Sequence, residues 1–160
     1  MKYYIDTEFD GHNGPLISLA MVREDGYSMY VIDSYGYGPN IQDPWVKENV
    51  IPLLLKSPAE EIEESWVNIN SNDMGGFIRS ILDIDPDMDI EIIADSPVDI
   101  GRFCQALSTN EDGEWQNCNY GTMKFTVENV DCYPTTLEGA VQHNAWWDAM
   151  ALREKLNEVY

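Results

Sequence analysis

The amino-terminal segment predicts three antiparallel strands and so limits the folds open to this chain. Residues 2–5 are rich in aromatic and β-forming side chains and predict a first strand that leads into Asp6-Thr7-Glu8. A turn-rich stretch follows, and a second strand is expected over residues 16–22. Glu24-Asp25-Gly26 then predicts a hairpin turn into a third strand over residues 28–32. The fold should therefore begin with a three-stranded meander.

Helices and strands alternate in the rest of the chain. The predicted elements are helices over residues 45–55, 60–64 and 74–82, a strand over 90–94, a helix from Ser96-Pro97, a strand over 123–127 and a closing helix from about residue 144. Ser at an N-cap and Pro at the first helical position favour the helix start at Ser96-Pro97. This order predicts an α/β fold with a mixed sheet flanked by helices, in a single domain over residues 1–160.

Composition restricts the function classes. Hydrophobic residues make up 44% of the chain, which is enough for a core, and 9 Lys and Arg against 29 Asp and Glu give a net charge of −20. This balance argues against a protein that grips long nucleic acid through a basic face, because such binding depends on neutralising phosphates. It is compatible with an enzyme whose carboxylates hold metal ions, since the ions then supply the positive charge.

Targeting and redox features are sparse. No stretch approaches the roughly 18–20 apolar residues of a membrane span, and residues 1–8 lack the pattern of a signal peptide. Three cysteines without CxxC spacing favour reduced thiols over disulfides or a zinc site. A cytoplasmic protein that does not contact membranes is the resulting expectation.

Asp6 and Glu8 are the first candidate metal ligands. They stand two residues apart on the first predicted strand, so both carboxylates should project from one face. Two carboxylates on one face repel unless a cation lies between them, and oxygen ligands suit Mg²⁺ or Mn²⁺. The same spacing recurs at Asp89/Glu91 and Asp112/Glu114. The position of Asp6, after a central strand and before a glycine-rich turn, favours the first pair over the other two.

Further acidic candidates follow later elements. Asp95 ends the predicted strand over residues 90–94, and Asp99 lies one turn into the next helix. Either side chain can face a crevice at the carboxyl ends of the strands, although acidic residues also favour a first helical turn for its dipole. His143 precedes Asp148 by five residues, about 140° around a helix, so the two can meet only if His143 precedes the helix. The neighbouring Trp146-Trp147 predicts one buried indole and one at a groove or interface.

Three segments in this order resemble the motifs of the DEDD (DnaQ-like) 3′–5′ exonuclease superfamily. Asp6-Thr7-Glu8 resembles the first motif, and residues 96–103, with Asp99 and an aromatic residue four positions later, resemble the second. His143 and Asp148 are similar to the third motif of the DEDDh branch. The opening Tyr-Tyr-Ile-Asp-Thr-Glu-Phe is similar in particular to the compact stand-alone 3′–5′ exoribonucleases.

This resemblance implies a ribonuclease H-like fold and hydrolysis of the terminal phosphodiester at the 3′ end of a nucleic acid, RNA rather than DNA. Two divalent cations, Mg²⁺ or Mn²⁺, are implied, with four carboxylates as ligands: Asp6, Glu8, Asp99 and Asp148. His143 is implied as general base for the attacking water, because an imidazole with a pKa of about 6.5 accepts protons at neutral pH. Thr7 and Phe9 are candidates for contact with the substrate, with a core position as the alternative for Phe9.

Alternatives to an exoribonuclease stay open at this point. One is a 3′–5′ exodeoxyribonuclease, and another is a catalytically silent acidic protein that mimics nucleic acid in the basic groove of a partner. His143 favours the nuclease, because a mimic needs surface carboxylates but no base at a fixed spacing. The charge of −20 predicts short substrates or exposed 3′ ends and dependence on metal. The sequence is compatible with a homodimer as well as with a monomer.

Overall fold

The computed structural model describes residues 1–33, 40–56, 68–69, 74–84, 89–118 and 120–157. Its strands are β1 (Lys2–Phe9), β2 (Leu16–Arg23), β3 (Ser28–Asp33), β4 (Asn68–Ile69), β5 (Ile90–Ala94) and β6 (Met123–Val127). Its helices are α1 (Pro44–Asn49), α2 (Met74–Leu82), α3 (Pro97–Leu107) and α4 (Ala145–Asn157). The helix predicted over residues 60–64 lies outside the described residues. Among the described helices, none is long and apolar enough to cross a membrane.

The strands form one mixed sheet in the order β4-β3-β2-β1-β5-β6. β1 pairs antiparallel with β2, and β2 with β3, which confirms the predicted meander. β5 pairs parallel with β1 and with β6, and α3 connects β5 to β6, as expected for consecutive parallel strands. The predicted α/β fold with a mixed sheet is therefore confirmed, and its architecture is compatible with a ribonuclease H-like fold. The short strand β4, beside β3, has no counterpart in the sequence prediction.

Alternate residues of the central strands fill two cores on opposite faces of the sheet. Tyr4 of β1 belongs to the core that includes residues of α1 and α4, whereas Tyr3 and Ile5 belong to the core that includes residues of α2 and α3. All three side chains are at most 2% exposed, because helices cover both faces of the sheet. The polar side chains at the carboxyl end of β1 therefore lie at the edge of the sheet where helices begin.

Two helix predictions differ in outcome. The helix predicted over residues 45–55 is too long: α1 ends at Asn49, and a short 3₁₀ turn over Ile51–Leu53 follows. Pro52 explains the break, because proline has no N–H to donate and clashes with the preceding turn of an α-helix. The predicted start of α3 is confirmed, with the N–H of Val98 donating to the Ser96 hydroxyl at 3.1 Å.

The prediction that only one of the adjacent indoles is buried is wrong. Trp146 and Trp147 are 3% and 7% exposed and meet edge to face, with ring centroids 4.7 Å apart. The Trp146 indole N–H donates to the Ser28 hydroxyl at 3.0 Å, and that of Trp147 to the carbonyl of Lys56 at 2.7 Å. The sheet and the segment after α1 both contact the first turn of α4, so neighbouring positions are buried against different partners.

Candidate active site

The carboxyl end of β1 opens onto a cavity of about 440 Å³. Asp6 and Glu8 both line it, as expected from the alternation of side chains along a strand. β5 pairs with β1 only over Lys2–Tyr4, so the two carboxylates lie past the last paired residue of that parallel pair. Such an edge is where open α/β sheets place their ligands.

Asp95 and Asp99 approach from the strand-to-helix connection after β5. Asp95 follows the last residue of β5, and Asp99 is in the first turn of α3 with 5% of its surface exposed. Carboxylate oxygens of Asp6, Asp95 and Asp99 lie within 4.8 Å of one another. The sequence alone left Asp95 and Asp99 as alternatives, and the structure brings both to Asp6.

Asp148 and His143 line the same cavity and come from the start of α4. The side chain of Asn144 accepts the N–H groups of Trp146 and Trp147, so the helix begins at Ala145 and His143 precedes it. Ligand atoms of Glu8, His143 and Asp148 lie within 4.8 Å of one another. His143 and Asp148 therefore meet despite their five-residue spacing, because His143 precedes the helix and Asp148 lies within it.

Hydrogen bonds orient Asp99 and Asp148, two of the three carboxylates that do not come from β1. The hydroxyl and the N–H of Thr7 both donate to Asp99 Oδ1, the latter at 3.1 Å. Tyr133 Oη donates to Asp148 Oδ1 at 2.7 Å, and the backbone N–H of His143 donates to Asp148 Oδ2 at 2.9 Å. Tyr133 lies in a segment without a recognisable motif, so its role was not predictable from the sequence.

Burial and mutual repulsion disfavour ionisation throughout the cluster. Burial, followed by the charges of Asp148 and Asp99, raises the pKa of Glu8 to about 8. Burial raises the pKa of Asp148 to about 7, although its two hydrogen bonds oppose the shift. The pKa of Asp6 is raised well above its ordinary value, first by burial and then by Asp99 and Glu8. Among the described residues that line the cavity there is no Lys or Arg to offset this charge.

This donor set fits divalent cations. The carboxylate oxygens are the hard ligands that Mg²⁺ and Mn²⁺ prefer, and the side chains form two groups that are each compact enough for one ion. One group contains Asp6, and the other contains Glu8, which lies two residues further along the same strand. A cation in either group would favour the ionised carboxylates and so oppose the burial and the repulsion that raise their pKa values.

Thr7 and Phe9, the predicted substrate contacts, line the same cavity. Thr7 is buried, at 5% exposure, with its hydroxyl on Asp99. Phe9 is half-buried, and the guanidinium of Arg102 lies 4.6 Å from the centre of its ring. Phe9 thus borders the cavity at the point where β1 ends.

The chain is similar to two curated proteins of Mycobacterium tuberculosis. These are the 3′–5′ exoribonucleases of strains CDC 1551 / Oshkosh and ATCC 25618 / H37Rv. Each is 38% identical to this chain over 81 residues, which is 49% of this chain and 46% of the relative. The chain therefore spans about half the length of the curated relatives it matches. No family model matches the sequence.

Proposed function

We propose that this chain is a metal-dependent 3′–5′ exoribonuclease of the DEDDh type. The observation that carries the proposal is the convergence of Asp6, Glu8, Asp99 and Asp148 with His143 around one cavity. The names of the two curated relatives support exonuclease activity and RNA as the substrate. An acidic mimic of nucleic acid needs charge on its outer surface, whereas these carboxylates are drawn together in a recess, and specific donors hold Asp99 and Asp148.

The reaction we propose is hydrolysis of the last phosphodiester. A water oxygen attacks the phosphorus of that phosphodiester, and the bond from this phosphorus to the 3′ oxygen of the preceding nucleotide breaks. The 3′ oxygen takes a proton from solvent, and the terminal nucleotide is released as a nucleoside 5′-monophosphate. Two divalent cations, held by Asp6, Glu8, Asp99 and Asp148, would offset the charge on the entering and leaving oxygens. His143 accepts the proton that the water loses, and burial, which lowers the pKa of its imidazole, favours the neutral form that can accept a proton.

The remaining groups position the reactants. Thr7 and Tyr133 each donate a hydroxyl to a carboxylate and so fix its orientation before a cation binds. Phe9 offers a ring to the terminal nucleotide at the end of β1. Because the Thr7 hydroxyl is engaged with Asp99, the substrate contact proposed for Thr7 would come from its methyl group.

Stepwise shortening of an RNA with a labelled 5′ end tests the proposal. We expect loss of one nucleotide at a time from the 3′ end with Mg²⁺ or Mn²⁺, none with EDTA, and slower shortening of a DNA of the same sequence. Asp6→Asn should abolish the activity, whereas Asp112→Asn, which makes the same change on an exposed loop, should not. Faster cleavage of DNA would indicate an exodeoxyribonuclease. An inactive parent protein with both metals would contradict the nuclease and favour the mimic.

A comparison of Asp99→Asn with Asp95→Asn distinguishes the two neighbouring carboxylates. Asp99 is buried and receives two donors on Oδ1 from Thr7, which aims its other oxygen, whereas Asp95 is partly exposed. We expect Asp99→Asn to lower the initial rate of RNA shortening at least about tenfold more than Asp95→Asn, since a fixed ligand contributes more to a site than a loosely held one. Equal losses in the two variants would mean that Asp95 shares the role assigned to Asp99.

A further inference from the structure

Helix α1 is fixed beside the candidate active site by two carboxylates outside the proposed ligand set. Asp10, 6% exposed and directly after β1, accepts the N–H groups of Gln42 and Asp43, each at 2.8 Å. The carboxylate of Asp43 in turn accepts the N–H groups of Trp45 and Val46 at 2.8 and 3.2 Å. The end of the strand that carries Asp6 and Glu8 therefore determines where α1 begins.

Trp45 is the aromatic side chain that α1 places at the cavity, beside Val46. Its indole meets the imidazole of His143 edge to face, with ring centroids 4.9 Å apart and an interplanar angle of 82°. Trp45 is 52% exposed, so burial against the core does not account for its position. A second contact joins the 3₁₀ turn after α1 to the residue that follows His143, because the side chain of Asn144 donates to the carbonyl of Leu53 at 2.8 Å.

The backbone of His143 is fixed, while its side chain depends on neighbours. Its φ of 68° is in the left-handed region, and its N–H is held by Asp148 Oδ2 at 2.9 Å. These two constraints determine where the Cβ atom lies, but they leave rotation about the side-chain bonds free. Among the described residues, Trp45 is the aromatic side chain that contacts the imidazole.

We propose that Trp45 is a positioning residue for His143, one that limits rotation of the imidazole so that its nitrogen faces the attacking water. This inference rests on the proposed function, in which His143 is the base. A general base contributes about 10²–10⁴-fold only when it lies within hydrogen-bond reach of the proton. Misplacement by about 1 Å can cost on the order of 10²-fold. Removing the indole should therefore lower kcat rather than raise KM.

A double-mutant cycle with His143 tests this positioning role. Trp45→Ala should lower kcat about 10–100-fold with KM changed by less than about threefold, and Trp45→Phe, which keeps a ring, should recover most of the loss. In a His143→Ala background, measured under single-turnover conditions, Trp45→Ala should change the rate less than about twofold. The same loss in both backgrounds, or a raised KM with kcat unchanged, would show that the indole contacts the substrate itself and would overturn the proposal.

NMR of the histidine side chains gives a second readout that needs no activity. The chain has two histidines, so His143→Ala assigns the ring signals of both. Trp45→Ala should shift and broaden the His143 signal and leave His12 unchanged, whereas Trp115→Ala, which removes an indole that is 77% exposed, should change neither. An unchanged His143 signal in Trp45→Ala would overturn the proposal. Failure of the parent to degrade RNA would instead contradict the proposed function, whatever the ring signals show.

Discussion

Replacement of Glu8 by Gln is expected to abolish hydrolysis and, at the same time, to stabilise the metal-free protein at neutral pH. The fold raises the pKa of Glu8 from 4.5 to about 8, chiefly through burial and then through Asp148 and Asp99. A carboxyl group with a raised pKa binds its proton more tightly in the folded state than in the unfolded state. Its contribution to stability is therefore fully present below about pH 4.5 and is lost as the pH rises to about 8.

Gln cannot ionise, so Glu8→Gln avoids this loss. One pKa unit corresponds to about 1.4 kcal/mol, and we expect a gain on the order of 2 kcal/mol at pH 7 after relaxation of the site. At about 2–4 °C per kcal/mol for a chain of this size, Tm should rise by about 4–8 °C. Thermal melts in EDTA between pH 4 and pH 8 should show the difference between variant and parent widening as the pH rises.

Glu114→Gln is the matched control, because it makes the same charge change on an exposed residue of the loop after α3. It should leave Tm nearly unchanged, which separates the local repulsion from the general effect of a net charge of −20. Added Mn²⁺ should raise the Tm of the parent by binding to the folded state and should raise that of Glu8→Gln less. A variant that is less stable than the parent at pH 7 would contradict the raised pKa of Glu8, which burial and then the neighbouring carboxylates produce.

The parts of this molecule that were predictable from sequence are those that depend on local periodicity. Alternation along β1 placed Asp6 and Glu8 on one face, and the Ser96-Pro97 pair fixed the start of α3 with Asp99 in its first turn. Both follow from backbone geometry over a few residues. The DxE spacing itself was not sufficient, because the same pattern at Asp112 and Glu114 lies on an exposed loop.

The parts that were not predictable depend on contacts between distant segments. Tyr133 reaches Asp148 across fifteen positions of the chain, and Trp45 reaches His143 across almost a hundred, and neither pair has a spacing that a local rule recognises. The prediction that only one of the two adjacent indoles is buried was wrong for the same reason, because the carbonyl of Lys56, which accepts the Trp147 indole N–H, belongs to a segment far away in sequence. Candidate site residues on regular elements can thus be found from pattern, whereas the residues that orient them require the tertiary structure.

The paired variants His143→Gly and His143→Ala are expected to lose activity equally and to differ in stability. Both remove the proposed base, so each should lower kcat by about 10²–10⁴-fold. His143 has a φ of 68°, which costs an L-residue with a Cβ atom about 1–2 kcal/mol and costs glycine almost nothing. Glycine also makes the unfolded chain more flexible, at a cost of about 0.4–1 kcal/mol. The net expectation is that His143→Gly is more stable than His143→Ala by about 0.5–1 kcal/mol.

Urea denaturation of both variants measures this difference, and the same pair of substitutions at Gln142 is the control. Gln142 does not share the positive φ of its neighbour, so Gln142→Ala should be more stable than Gln142→Gly. The relative stability of the Gly and Ala variants should therefore reverse between these adjacent positions. If His143→Ala is as stable as His143→Gly, or more stable, the result would argue against the left-handed conformation on which the position of the proposed base depends.

The same two variants separate a base from a metal ligand, because a ring nitrogen of His143 lies in one group with Glu8 and Asp148. If His143 acts as the base, the four carboxylates still hold the cations, and Mn²⁺ should raise the Tm of both variants as much as it raises that of the parent. If the imidazole is a ligand, the stabilisation by Mn²⁺ should fall in both variants together with activity. Retained Mn²⁺ stabilisation with lost hydrolysis is the result that the proposed mechanism requires, because it assigns the imidazole to the proton of the water and the carboxylates to the metal.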